Sequence, residues 1–176
     1  MIDAAHDRLV NVECSIINDF KFLIDKLYLV DYSGVLSDAR GIIFEELVHI
    51  IGIESEFVEK YREAQIYLEG EADQLGKSGH DFDSIFHNNK NVHLIECKIS
   101  ASSFLRLFNG SYKQKSTSKL NYMKRTGEEL NNQNMNNSLF LFTGSYSVKK
   151  IKRDFKKKYN SIELLARRDV LKKCMG

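Results

Sequence analysis

The feature that most constrains the fold is a pair of strand-like stretches joined by a short polar turn. DFDSIF (residues 81–86) alternates polar and apolar side chains, which is the period of a half-buried strand. VHLIECKIS (residues 92–100) is apolar over most of its length and suits a more central strand. The intervening NNKN has the asparagine content of a turn. Together they predict a β-hairpin.

The rest of the chain predicts a mixed α/β sheet with helices on both faces. Apolar spacings of three and four predict helices over residues 1–30 and 42–52, separated by a break at DYSGVLSDARG (31–41). The further predicted elements are a strand at AQIYLEG (64–70), a helical stretch at 102–130, a linker at NNQNMNN (131–137), an interior strand at SLFLFTG (138–144), a basic amphipathic helix at KKIKRDFKKKY (149–159), a strand at SIELLAR (161–167) and a short helix at DVLKKC (169–174).

Composition bounds the class of protein. A chain of 176 residues with 43% hydrophobic residues is long enough for one domain with its own core. No apolar run approaches the roughly 18 residues of a membrane span, and the first residues lack the pattern of a signal peptide. The three cysteines are far apart and form no CxxC pair, which predicts free thiols and a cytoplasmic location.

Charge is divided unevenly along the chain. Residues 1–97 hold 8 Lys and Arg against 19 Asp and Glu, whereas residues 98–176 hold 18 against 5, so the two parts carry net charges of −11 and +13. Such asymmetry points to a nucleic-acid partner. On charge alone, a solvated acidic helix beside a solvated basic one explains the pattern equally well.

The hairpin places two acids and a lysine at strand spacing. Glu96 and Lys98 share a strand face, and pairing across the turn brings Asp83 beside Glu96. Adjacent carboxylates repel unless a cation lies between them, and Mg²⁺ or Mn²⁺ takes oxygen ligands of this kind. Such an ion activates water near neutral pH, and Lys98 would orient or deprotonate that water or hold the phosphate. The pattern favours phosphodiester hydrolysis, although E-x-K on an exposed strand usually has no function.

The same residues resemble a known motif. Asp83, followed after twelve residues by Glu96-Cys97-Lys98, resembles the D-…-(D/E)-x-K motif of the PD-(D/E)XK nuclease superfamily. The hydrophobic-I-E-C-K form is similar to Holliday-junction resolvases and, more closely, to the nuclease domain of CRISPR-associated nucleases activated by cyclic oligonucleotides. Those families carry a helical glutamate in a pattern like G-x-x-(L/F)-E-x-x-V. That pattern matches residues 41–48 and implies Glu45 as the helical acid.

The resemblance implies a fold, an activity and a set of catalytic residues. The implied fold is α/β, a restriction-endonuclease-like mixed β-sheet flanked by helices. The implied activity is that of a metal-dependent nuclease, with DNA favoured over RNA as its partner. Glu45, Asp83, Glu96 and Lys98 are the implied catalytic residues, and the three acids are the implied ligands of Mg²⁺ or Mn²⁺.

Nucleic-acid contacts are expected from two further segments. Several nucleases of this fold place a polar substrate-binding residue on the helix after the E-C-K strand, and Gln114, flanked by Lys113 and Lys115, takes that position. Each phosphate contact steepens the salt dependence of binding by about 0.9 on a log–log plot. The basic helix supplies further candidates for such contacts, namely Lys149, Lys150, Lys152, Arg153, Lys156, Lys157 and Lys158.

The predicted organisation is one nuclease-like domain over residues 1–176. It comprises the N-terminal helix (1–30), a catalytic core over about residues 38–145 and a basic helical region over about residues 147–176. The similar CRISPR-associated enzymes carry a ligand-sensing domain before the nuclease, and roughly 35 residues are too few for one. A stand-alone nuclease in phage defence, a domain of a larger chain and a toxin domain stay open, as does a homodimer.

Two other functions remain as alternatives. Cap-snatching RNA endonucleases of related fold use a helical histidine as an extra metal ligand, and His49 lies one turn after Glu45. A non-catalytic nucleic-acid-binding or assembly protein on the same fold is the second alternative. The histidines around the hairpin are interpreted as turn or strand-face residues, and Cys97 as a core residue, because it faces away from Glu96.

Overall fold

The computed structural model describes residues 34–51, 59–77, 79–88, 91–105, 107–108, 111–112 and 114–169. The chain divides into two compact units, residues 1–40 and residues 41–176, and the whole sheet belongs to the second unit. The predicted helix over residues 1–30 and nearly all of the predicted helix over 169–174 lie outside the described residues. The prediction of a single domain therefore stays a prediction. No helix in the described part of the chain has the length and apolar character needed to cross a membrane.

The described elements alternate between helices and strands. In chain order they are α1 (Gly34–Ile51), β1 (Glu59–Ala64), β2 (Phe82–His87), β3 (Asn91–Lys98), α2 (Ala101–Phe104), β4 (Leu107–Phe108), β5 (Ser111–Tyr112), α3 (Gln114–Asn132), β6 (Asn136–Thr143), α4 (Lys149–Lys158) and β7 (Ile162–Leu165). Five strands form one sheet in the order β1-β2-β3-β6-β7. The first three pair antiparallel, and β3, β6 and β7 pair parallel. The predicted mixed sheet and its hairpin are confirmed.

Each face of this sheet buries a separate apolar cluster. On one face Phe44 and Val48 of α1 pack with Ile95 of β3 and with residues of β6. On the other face α3 and α4 contribute Leu120 and Phe155 to a larger cluster that includes strand residues of β2, β3 and β6. The prediction of helices on both faces is therefore confirmed. Side chains at alternate positions of β3 consequently face either α1 or α3.

Two predicted boundaries near the first helix and strand are wrong. α1 begins at Gly34, so most of the predicted break at residues 31–41 is helical. Leu36, Ala39 and Arg40, three of the six residues between the two glycines, are good helix formers, and a glycine inside a helix costs only about 1 kcal/mol. The first strand is Glu59–Ala64 rather than residues 64–70. This strand lies at the sheet edge and is exposed and charged, so it lacks the apolar alternation that reveals an inner strand.

The predicted helix over residues 102–130 is interrupted in the structure. α2 spans four residues, its N-cap Ser100 accepts a hydrogen bond from the backbone N–H of Ser103, and Leu105 is its C-cap. The small hairpin β4–β5 follows, and only then does α3 begin. β6 begins at Asn136, two residues inside the predicted linker. α2, β4 and β5 have too few residues for a hydrophobic period to be visible in the sequence.

The loop between β1 and β2 is anchored to α3 through Gly76. Its φ of +74° lies in the region that favours glycine, and its N–H donates to Glu129 Oε2 at 2.7 Å. A Cβ at this position would lie 2.5 Å from Thr126 Oγ1 and 2.6 Å from Tyr122 Cδ2. The contact fixes the loop that leads into β2 against the helix that faces the candidate site.

Gly76→Ala is therefore expected to lower the free energy of unfolding by about 2–4 kcal/mol. About 1 kcal/mol comes from the positive φ and the remainder from displacing the α3 side chains. Gly70→Ala is the matched control, because its φ is +83° but nothing lies within 4 Å of the added Cβ. Urea unfolding of both variants measures the difference. Equal losses would contradict the close packing of Gly76 on α3.

Candidate active site

The site is built at the end of the β2–β3 ladder. The two strands pair as far as Ser84 and Ile95, and Asp83 and Glu96 occupy the next position of the same register. At this position a side chain continues the contact between the two strands, since Asp83 Oδ2 accepts a hydrogen bond from the N–H of Cys97 at 2.6 Å. This bond holds the carboxylate of Asp83 against β3, where its side chain is only 15% exposed.

Lys98 lies between the two acids. Its Nζ is 2.6 Å from Glu96 Oε1 and 3.4 Å from Asp83 Oδ2, and it donates to the carbonyl of Cys97 at 2.7 Å. Burial disfavours the ammonium group, but the charges of Glu96 and Asp83 outweigh burial and raise the pKa of Lys98. Lys98 is therefore a cation across the physiological pH range in this arrangement.

Glu96 is the most deeply buried acid of the site. Its side chain is 2% exposed, and burial raises its pKa, an effect that Lys98 opposes and Asp83 reinforces. Its second oxygen, Oε2, lies 2.8 Å from the Nζ of Lys119. Each carboxylate oxygen of Glu96 thus has a lysine beside it.

Lys119 is a component of the site that the sequence analysis missed. It projects from α3 and is buried, with a relative exposure of 8%. Besides Glu96, its ammonium group contacts Asp81, donating to the backbone carbonyl and lying 3.7 Å from Oδ1. The available signal was a lysine within the apolar stripe of a predicted helix, beside Leu120 and one turn before Met123.

Glu45 reaches the site from the opposite face of the sheet. Burial raises the pKa of Glu45 to about 7, the charge of Asp83 adds to the rise, Lys98 opposes it, and Glu96 contributes a smaller increase. No hydrogen bond or ion pair from the described residues reaches its carboxylate. The structure thus brings Glu45 into the field of the hairpin acids.

The neighbouring Glu46 is directed elsewhere. Its carboxylate pairs with both terminal nitrogens of the Arg62 guanidinium group, and both side chains are well exposed. Adjacent residues of a helix diverge by about 100° around its axis, which accounts for the separation of Glu45 and Glu46.

The histidines do not join this group of acids. His49 stacks on Phe86, with ring centroids 6.1 Å apart, and its pKa is lowered by burial and then by Arg62. His80 bonds to a serine of α3, His87 lies near Glu59, and His93 packs edge-on against Phe140. In this position His49 does not serve as the extra metal ligand that the cap-snatching alternative requires.

Cys97 lies among the apolar side chains of the α1 face, as predicted. It is 1% exposed, and burial raises the pKa of its thiol well above the ordinary value. A buried, protonated thiol of this kind is not a nucleophile.

The predicted nucleic-acid contacts lie outside the ion-pair cluster. Gln114 and Lys115 are exposed at the beginning of α3, and Lys113 lies outside the described residues. The basic residues of α4 are all exposed, while Phe155 anchors that helix to the sheet. These are Lys149, Lys150, Lys152, Arg153, Lys156, Lys157 and Lys158.

The acids suit a hard divalent ion in their chemistry. Glu45, Asp83 and Glu96 offer oxygen donors, and burial, followed by repulsion from Asp83 and Glu96, raises the pKa of Glu45 to about 7. As the side chains stand, no three His, Cys, Asp or Glu residues in the described ranges approach closely enough to hold a metal ion together. The ammonium groups of Lys98 and Lys119 lie 2.6 Å and 2.8 Å from the two oxygens of Glu96. The three acids thus have the donor chemistry of a site for a hard divalent ion, without the close arrangement of one.

Comparisons with known proteins give a distant structural likeness. No family model matches the chain, and no curated protein matches it. Among solved structures, the chain is similar to the small subunit (R.BspD6I2) of the heterodimeric restriction endonuclease R.BspD6I, at 11% sequence identity with a TM-score of 0.42. The likeness covers 70% of this chain, which spans 62% of the length of that subunit. It is too distant to transfer any residue or activity.

Glu45→Gln is expected to stabilise the metal-free protein at pH 8 by about 1 kcal/mol, after allowance for the screening of a half-exposed group. The sign follows from the raised pKa, since the folded state disfavours the ionised carboxylate. The wild-type chain therefore loses stability as the pH rises from the ordinary value of 4.5 through about 7. Urea unfolding in EDTA at pH 4, 6 and 8 should show the gain of the variant vanish at pH 4.

Glu46→Gln is the control for that measurement. It removes only the exposed pair with Arg62 and should lower stability by under about 1 kcal/mol. A loss of stability in Glu45→Gln at pH 8 would contradict the placement of Glu45 near Asp83 and Glu96.

Proposed function

We propose that this chain is a divalent-metal-dependent nuclease that hydrolyses phosphodiester bonds, with DNA favoured over RNA. The observation that carries the proposal is the convergence of Asp83, Glu96 and Lys98, with the lysine nitrogen 3.4 Å from one carboxylate and 2.6 Å from the other. Burying this many charges in one sheet is costly, and a catalyst that handles phosphate has a use for them together.

Asp83 and Glu96 are the proposed holders of Mg²⁺ or Mn²⁺, with Glu45 as the third acid. When bound, such an ion neutralises phosphate charge and lowers the pKa of a coordinated water toward neutrality. Asp83 is already fixed by the N–H of Cys97, so its carboxylate needs no large rearrangement. Glu45 has no ion-pair partner among the described residues, which leaves its oxygens available as ligands.

Lys98 is proposed to act as a fixed positive charge. Glu96 and Asp83 outweigh burial and raise its pKa in the metal-free chain, which supports a protonated amine in the resting site. A protonated lysine beside the reacting phosphate can hold a non-bridging oxygen and stabilise the charge that develops in the transition state. Among the roles predicted for Lys98, which are to orient the water, to deprotonate it or to hold the phosphate, its raised pKa supports holding the phosphate over deprotonating the water.

Exposed lysines and arginine on two helices are proposed to bind the nucleic-acid backbone. α3 and α4 both pack on the sheet face that carries Glu96, so Lys115 and the basic residues of α4 lie on the same side of the sheet as the site. Contacts of this kind bind phosphates without regard to sequence. They support a nucleic-acid substrate and carry no information about a preferred sequence.

A non-catalytic nucleic-acid-binding protein is the second candidate. The pairing of both Glu96 oxygens with lysines favours it, because the lysines balance the buried acid without a metal ion. The two candidates differ in what a divalent ion does to the chain. A nuclease is stabilised and activated by Mn²⁺, whereas a binding protein responds to neither Mn²⁺ nor EDTA.

Asp83→Asn is expected to abolish the thermal stabilisation that Mn²⁺ gives the wild-type chain. At a hundredfold excess over Kd, a ligand stabilises by about 2.7 kcal/mol, which is a few degrees in Tm for a chain of this size. The asparagine oxygen can still accept the hydrogen bond from Cys97, so the fold should persist. Asp73→Asn is the control, since Asp73 pairs only with exposed Lys77. Unchanged Mn²⁺ affinity of Asp83→Asn in titration calorimetry would refute the site.

Lys98→Ala is expected to lower the cleavage rate at saturating Mn²⁺ by about 10²–10³-fold, because a charge that stabilises the transition state is lost. It should retain the Mn²⁺-induced rise in Tm, because lysine is not a ligand of a hard cation. Lys98→Arg should recover only part of the rate, since a guanidinium group keeps the charge but not the shape. The assay uses plasmid, single-stranded DNA and RNA, each with Mn²⁺ or EDTA.

Lys77→Ala serves as the control in that assay, because Lys77 is exposed and pairs with Asp73 rather than with an acid of the candidate site. Cleavage by Lys98→Ala at the wild-type rate would show that E-C-K is a structural strand and would leave the binding protein as the better candidate. Faster cleavage of RNA than of DNA would reverse the substrate preference alone.

A further inference from the structure

Both oxygens of Glu96 are engaged by lysines that come from different elements. Lys98, on the same strand, lies 2.6 Å from Oε1, and Lys119, on α3, lies 2.8 Å from Oε2. A carboxylate oxygen has two lone pairs, so a cation can share it with an ammonium group, but the two positive charges then repel each other. An ion that binds Glu96 is therefore opposed by the lysine beside the oxygen that it uses.

Lys119 is the lysine that can leave Glu96 at the lower cost. An ammonium group has three donors, and that of Lys119 also contacts Asp81 through its backbone carbonyl and its Oδ1. Losing Glu96 would leave Lys119 with both of those partners. Its four-carbon stem also allows the small movement that separates the two groups.

Lys98 is held more tightly among the acids themselves. Besides Glu96, its partners are Asp83 and the carbonyl of Cys97. Moving Lys98 away would remove the cation that separates Asp83 from Glu96. The geometry therefore singles out Oε2, the oxygen beside Lys119, as the exchangeable position.

We propose that Lys119 is an exchangeable counter-ion of Glu96. Lys119 pairs with Oε2 of Glu96 in the metal-free chain and moves away from that oxygen when Mg²⁺ or Mn²⁺ binds. This role rests on the proposed metal site. In the metal-free chain Lys119 keeps a deeply buried carboxylate compensated. After exchange it stays beside the site through Asp81. Lys119 is accordingly a positioning residue. It competes with the ion for Glu96 and is not a ligand of the ion.

The test is a calorimetric titration of EDTA-treated, dialysed protein with Mn²⁺ at pH 8. Lys119→Met keeps most of the side-chain volume and removes the charge, so Mn²⁺ should bind at least about 10-fold more tightly, because the ion no longer displaces a cation. Lys119→Arg keeps a cation and should stay within about 3-fold of the wild type. Lys124→Met is the matched control on the same helix, since Lys124 pairs with Glu128 on the exposed surface.

The outcomes separate this inference from the proposed function. Mn²⁺ affinity of Lys119→Met equal to or below that of the wild type overturns the exchange and leaves the metal site standing. Equal tightening in Lys119→Arg and Lys119→Met also overturns it, because the charge would then not be the cause. Absence of Mn²⁺ binding in both the wild type and Lys119→Met overturns the metal site and the exchange together.

A second measurement on the wild-type chain covers the case in which Lys119→Met does not fold. Mg²⁺ titration of protein with ¹³C-labelled lysine should shift the Lys119 side-chain Cε resonance as Glu96 is released, while the Lys124 resonance stays in place. Each signal is assigned through the Lys119→Arg and Lys124→Met variants. A Lys119 resonance that does not move at saturating Mg²⁺ overturns the exchange.

Discussion

A carboxylate buried in the middle strand of the sheet is the constraint around which this unit is organised. Glu96 is 2% exposed, and an uncompensated charge in such a position would cost several kcal/mol. The fold meets that cost with two lysines from separate elements, one on β3 and one on α3. The packing of α3 against the sheet therefore has an electrostatic role as well as an apolar one, because that helix carries Lys119, the second lysine.

Asp83 adds a second role to the same corner of the sheet. Its carboxylate accepts the N–H of Cys97 at the point where the β2–β3 ladder ends, so it serves as a cap for the hairpin. The negative charge of the same carboxylate acts to raise the pKa of both Lys98 and Glu45. One side chain thus holds the local backbone and shifts the pKa of residues from two other elements. A change at Asp83 would therefore affect both the end of the hairpin and the charges of the site.

Short-range patterns in the sequence explain what was predictable. The alternation in DFDSIF and the apolar run in SLFLFTG depend only on neighbours along the chain, and both became strands of the sheet. The relation of Glu96 to Lys98 is also local, because it follows from the two-residue period of a strand. β1 escaped prediction because it is an exposed, charged edge strand. The place of Lys119 beside Glu96 depends on how α3 packs on the sheet after 22 residues of intervening chain, which no local period encodes.

The burial of Cys97 gives the strand a property beyond its charges. The thiol lies between the two charged residues of E-C-K and is 1% exposed on the opposite face of β3. Because burial raises its pKa and it lies in one apolar cluster with Phe44 and Val48 of α1, an alkylating reagent can modify it only after the side chains that cover it move away. The rate of modification at Cys97 therefore reports how often the α1 face of the sheet opens behind the strand that carries Glu96 and Lys98.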